Sequence, residues 1–207
     1  MRRSLSAEVA GTVQAHGVAP PPKDGILDFG WLGFTHMLTG WDHLLFIAGV
    51  VLLAWHPKRA LSLLSLFALG HSVTLITATL AGWRFDPEFV DVVIAVSVGV
   101  VGVIGLIGRP RRYWWFGVVV LAFGLVHGLG LATRFQALTI PAGGELSRLI
   151  AFNVGVEVGQ AVAVYLIYLL GEALTYRPRW PRIERAGFGG LTVIGLVLST
   201  ALTIARI

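Results

Sequence analysis

Six apolar runs, each long enough to cross the hydrocarbon of a bilayer, dominate this chain. They lie at about Phe29–Ala54, Ala60–Gly82, Phe89–Gly108, Tyr113–Thr133, Leu146–Leu174 and Phe188–Ile204. Backbone polar groups in lipid must be satisfied within each segment, so the runs are expected as helices. Barrel strands would be shorter and would alternate in polarity. The expected fold class is therefore all-α, a polytopic transmembrane helix bundle with six spans. Charged residues make up 13% of the chain, against about 25% in a soluble domain. That is too few to clothe a water-facing surface of this size.

Residues 1–27 are polar, with a Pro20-Pro21-Pro22 run, and read as a flexible extramembrane tail; residues 28–207 read as the transmembrane domain. Arg2 and Arg3 resemble the start of a signal peptide, but no apolar stretch of the required length follows. His16, alone in the tail, reads as solvated. Nine basic residues fall after the first, third and fifth runs, and seven on the opposite side, where Arg2 and Arg3 are far from any span. Cytoplasmic loops carry the excess of Lys and Arg, so both termini are expected outside, and a bacterial inner (plasma) membrane fits. The sequence pI of about 10.2 could suggest nucleic acid. The arginines sit in short clusters between apolar runs, however, and no separate basic domain could read a duplex. With Cys 0 there is no thiolate metal site and no thiol nucleophile.

The functional signal lies inside the runs. His36, Asp42 and His43 fall in the first, His71 in the second, His127 in the fourth, and Asn153, Glu157 and Gln160 in the fifth. An ionisable group at the centre of a span costs about 2.5–3.5 kcal/mol on insertion scales and marks a site or a partner. Four histidines and two carboxylates over four spans exceed what helix packing requires. At 1.5 Å per residue, all of them fall near mid-membrane or in one half of it. In a straight helix His36 and His43 share a face but stand about 10.5 Å apart along the axis, too far to hold one ion together. Either they form successive stations, His36 outer and Asp42-His43 central, or the helix is irregular near Gly40. The central station would then be completed by His71, His127 and Glu157. Asp42 could ligate directly or orient a histidine from outside the ligand shell.

Several neighbours support these residues. Gly124 and Gly128 form a Gly-xxx-Gly face beside His127, a packing element that brings backbones close. Ser72, beside His71, is expected to back-bond within its own helix or to support the polar set. Offsets of three, four and seven place Asn153, Glu157 and Gln160 on one stripe. Asp91 reads as a helix-end residue and Arg134 as an interface anchor.

On these residues the chain resembles the HupE/UreJ family, integral membrane proteins associated with hydrogenase and urease metallation and regarded as nickel or cobalt permeases. The family's first-helix signature is matched by His36, Gly40, Asp42 and His43; Met37 stands where the family commonly has proline. Gly70-His71-Ser72, His127-Gly128 and Phe152-Asn153 with Glu157-Gly159-Gln160 are more similar to its second subgroup. The resemblance covers about Gly33 to Leu170. It implies a divalent transition metal ion, nickel or cobalt, as ligand and metalloenzyme-maturation proteins as partners. Imidazole and carboxylate suit nickel but also zinc. Imidazole must be deprotonated to ligate, so uptake should depend on pH. Two other readings compete. An intramembrane zinc hydrolase would use three histidines and a carboxylate with an open position for water. A structural membrane subunit would use the same polar residues only for packing.

Overall fold

The computed structural model describes residues 25–54, 56–110, 112–137, 144–175 and 180–205. These form seven helices and no strand: α1 Ile26–Thr39, α2 Trp41–Ala54, α3 Pro57–Leu80, α4 Pro87–Ile107, α5 Tyr113–Ala137, α6 Glu145–Thr175 and α7 Trp180–Ala205. The all-α expectation holds. Most of the proposed tail, His16 included, lies outside the described residues, and Ile26 and Leu27 already belong to α1. The helix starts follow local chemistry. Pro57 and Pro87 open α3 and α4 at positions where a missing N–H costs nothing. Asp86 accepts a hydrogen bond from the Glu88 amide at 3.0 Å to cap α4. At its far end α3 stops at Gly82, whose φ of 66° suits glycine.

Helices α3 to α7 are each long and apolar enough to cross a membrane. The first apolar run departs from the straight helix expected. It breaks at Gly40 into α1 and α2, bent by 66°. Gly40 takes an extended conformation, and its amide caps α1 by donating to the His36 carbonyl at 3.0 Å. Its own carbonyl accepts the first bond of α2, from Leu44, at 3.0 Å.

Three tightly packed pairs build the bundle: α1 with α6, α3 with α5, and α4 with α7. Glycines make each contact possible. A Cβ on Gly155 would overlap the Gly30 carbonyl, one on Gly124 the Phe67 carbonyl, and one on Gly195 the backbone of Gly99. The Gly-xxx-Gly face of α5 therefore packs as expected, Gly124 against Phe67 and Gly128 against His71. In the first two pairs the matched residue numbers rise together, so those helices run parallel. In α4/α7, Gly99 meets Gly195 while Gly102 meets Thr192, so the pair is antiparallel. Phe29 of α1 lies against Phe135 near the end of α5, with ring centroids 5.8 Å apart. Taken with the pairings, this places the start of α1 and the end of α7 at the same end of the bundle.

The core is a continuous cluster that includes Phe46, Phe67, Phe116, Phe152 and Phe188. Large apolar side chains such as Leu166, Val193 and Leu196 are exposed along α6 and α7, as lipid-facing residues must be.

Candidate metal centre

The break at Gly40 builds the site. With the helix interrupted, His43 folds back towards His36, and their ring centroids lie 5.0 Å apart. This corrects the two-station expectation, which assumed a continuous helix and a rise of about 10.5 Å. Gly40 is needed for space rather than for φ. A Cβ there would stand 2.7 Å from His43 Nδ1 and 3.1 Å from Asp42 Oδ1. Asp42 sits in the first turn of α2, where the helix dipole favours an anion. The C-terminus of α1, on the other side of the break, presents the negative end of its own dipole, which favours a cation.

Asp42 Oδ1 accepts two hydrogen bonds from His43, one from the backbone N–H and one from ring Nδ1–H, both at 2.9 Å. Carboxylate pairing of this kind fixes the tautomer of a ligating histidine and leaves Nε2 to the ion. His127, three helices further along in α5, is held in the same sense. Its Nδ1 lies 2.8 Å from the Phe123 carbonyl. A carbonyl only accepts, so Nδ1 carries the proton and Nε2 of the neutral ring offers a lone pair. That Nε2 is buried and has no hydrogen-bond partner. The rings of His43 and His127 lie 5.3 Å apart.

Asp42, His43 and His127 each offer a ligand atom, and the three atoms lie within 4.8 Å of one another. Two ligands on opposite sides of one first-row ion stand up to about 4.4 Å apart. Movements of a few tenths of an ångström would therefore close the group on an ion. With His36 these residues line a half-open cavity of about 400 Å³, together with apolar side chains such as Leu45, Val98 and Leu131. His36 Nδ1 is also buried without a partner.

The remaining residues of the expected constellation fall elsewhere. His71 is buried behind the cavity lining, its ring stacked on Phe67 at 6.3 Å. Ser72 Oγ donates to Asn153 Oδ1 at 2.9 Å, and Asn153 Nδ2 donates to the Leu149 carbonyl at 3.0 Å. The Ser72 contact is thus a bond between α3 and α6, not one within its own helix. Gln160 is buried, and its Oε1 lacks a partner. Glu157 is exposed and does not line the cavity. The stripe argument placed it too close to its neighbours. At about 100° per residue Glu157 stands about 40° to one side of Asn153, with Gln160 about 20° to the other. Close packing of Gly155 and Gly159 on α1 turns the buried face of α6 away from Glu157.

Sequence reasoning missed one feature of this cavity. Asp91 of α4 and Arg134 of α5 form an ion pair at 2.6 Å in its lining. The signal was present: Arg134 follows His127 by seven residues, two turns along one helix face.

The family model described as HupE / UreJ protein matches residues 12–203. The chain belongs to the HupE/UreJ family. Within this HupE/UreJ protein the matched region contains every helix from α1 to α6 and nearly all of α7. No curated protein and no solved structure matches the chain.

Proposed function

We propose that this chain is a membrane permease or metal-binding membrane protein for a divalent transition-metal cation of the nickel or cobalt type. His43 Nε2, His127 Nε2 and an Asp42 oxygen hold the cation, which is the substrate rather than a resident cofactor. His36 supplies a fourth donor or receives the ion from the outer side. His71, Ser72, Asn153 and Gln160 support the helices behind the site. One observation carries the reading: Asp42, His43 and His127 each offer a ligand atom, all within 4.8 Å of one another, beside the buried, unpartnered Nε2 of His127. A buried polar atom without a partner costs about 1–3 kcal/mol, a cost that a cation bound at His127 Nε2 would offset.

The resemblance to a family associated with nickel and cobalt supports that choice; the donor set, imidazole with carboxylate, also accepts zinc. The α1–α2 pair counts as one broken span, giving six. Breaks of this type line binding sites at the midplane of many transporters, where half-helix ends meet the substrate. The membrane is the bacterial inner membrane with both termini outside, and the recipients of the metal are metalloenzyme-maturation proteins. The chain before Gly25 acts as a tail preceding the membrane domain, whose first helix starts at Ile26.

The test is metal uptake by cells carrying the Asp42→Ala or His43→Ala variant, with elemental analysis of the purified proteins. Loss of uptake and of bound metal at normal abundance is expected. Normal uptake and metal content in both variants would overturn the reading. Hydrolysis of lipid or peptide by the metal-loaded protein would favour the zinc hydrolase instead.

A further inference from the structure

Glu157 stands at the middle of a span and on its outside. Within the apolar segment Leu146–Gly171 it lies eleven residues from the start and fourteen from the end. It is exposed, and its neighbours on the same side of α6 face outward with it: Ile150 and Val154 are 49% and 55% exposed, and Ala161 is exposed as well. Among the described residues none forms a hydrogen bond or ion pair with Glu157. A carboxyl facing hydrocarbon at this depth is costly, and ionisable groups within spans almost always face a bundle interior or pair with another polar group. The fold of one chain supplies neither, because close packing of Gly155 and Gly159 on α1 turns this side of α6 outward. The residues around Glu157 form a pattern of their own. Ile150, Val154, Glu157 and Ala161 are spaced by four, three and four residues. That is the spacing of a seam between two helices packed nearly parallel. Ala161 is small, as residues at helix contacts in lipid tend to be.

We propose that this stripe is the contact between two copies of the chain, α6 against α6, with Glu157 of one copy facing its counterpart in the other. Copies inserted in one membrane share an orientation, so the two-fold axis of a pair runs along the membrane normal. Each residue beside that axis then meets itself at the same depth. A foreign helix would have to bring a matching polar group to the centre of its own span; a second copy brings one by construction. A protonated carboxyl donates one hydrogen bond and accepts others, so two of them across the axis satisfy each other and withdraw from lipid. A single polar residue in an otherwise apolar seam also fixes register and copy number. No residue of α6 lines the cavity of the metal centre, so the pairing stands or falls independently of the metal reading.

The chain has no cysteine, so a single introduced thiol can form a disulfide only with a second molecule. Ala161→Cys, one turn from Glu157 on the stripe, is compared with Leu196→Cys on the exposed face of α7. Each is placed in the full chain and oxidised with iodine in isolated membranes. Ala161→Cys should give a product of twice the chain mass about tenfold more efficiently than Leu196→Cys. The dimer dissociation constant is then measured for the purified full chain in lipid bilayers, by energy transfer between labelled copies as protein density is varied. Glu157→Gln, whose amide also donates and accepts, should stay within about threefold of wild type. Glu157→Leu, which cannot hydrogen-bond, should weaken pairing about fivefold. The site is exposed, so neither change removes a contact within one chain. A monomer at every density, equal cross-linking at the two positions, or an Ala161→Cys product carrying the mass of another protein would overturn the proposal. So would pairing in Glu157→Leu as tight as in wild type.

Discussion

Replacing Gly40 with alanine should separate metal binding from stability. The backbone tolerates the change, because φ is −72° at this position. Space does not. The new Cβ would stand 2.7 Å from His43 Nδ1, 3.0 Å from the His36 carbonyl and 3.1 Å from Asp42 Oδ1. The carbonyl is fixed by its bond to the residue 40 amide, so the Asp42–His43 pair must yield. Overpacking costs about 1–3 kcal/mol. Alanine is favoured over glycine in a helix by about 1 kcal/mol, which pulls towards a continuous α1–α2 helix. The net loss of stability should therefore stay below about 2 kcal/mol. Metal affinity should fall further. Loss of the partner that orients a ligating histidine costs about 10–100-fold, or about 1.4–2.7 kcal/mol. Equilibrium dialysis against Co²⁺ with elemental analysis measures the first quantity, and thermal unfolding in detergent the second. Wild-type affinity in Gly40→Ala would refute the claim that this glycine holds open the space for the pair.

Two further outcomes are expected. Glu157→Gln should change Co²⁺ affinity by less than about threefold, because the carboxylate is exposed and outside the cavity lining; a loss comparable to that of Asp42→Ala would bring Glu157 back into the site. Gly155→Ala should destabilise the protein by about 3 kcal/mol, since its Cβ would overlap the Gly30 carbonyl at the α1/α6 contact and backbone cannot rotate aside. An unchanged unfolding midpoint would mean that these helices are not in close contact.

The spans were legible because lipid leaves few choices. A run such as Phe89–Gly108 must be a helix, and α4 covers Pro87–Ile107. The close approach at Gly124 and Gly128 was legible for a similar reason, since small residues four apart open one helix face. The break at Gly40 was not decided by sequence. A lone glycine inside an apolar run can be tolerated in a helix for about 1 kcal/mol, and only the crowding of Asp42, His43 and the His36 carbonyl around it reveals why the chain turns there. The bend, in turn, is what brings His36 to His43. Glu157 shows the opposite error. Its spacing from Asn153 and Gln160 was read correctly, but rotation of α6 is fixed by glycine contacts with α1, which no single-helix pattern contains. Arg134 was assigned to the interface because arginines at span ends commonly go there. Its partner, Asp91, comes from a different helix, 43 residues away in sequence.

The glycine contacts also restrict how the cavity could change shape. Each of the three helix pairs is fastened backbone to backbone, so sliding one member past the other would drive a carbonyl into a Cα. The easy motions are those of whole panels. Asp91 belongs to the α4/α7 panel and Arg134 to the α3/α5 panel, while Asp42 and His43 sit on α2, outside all three. Swinging the α4/α7 panel outward would widen the cavity and part Asp91 from Arg134 in one movement, leaving His127 fixed on its own panel. A cross-link between α4 and α5 would hold the cavity at its present width.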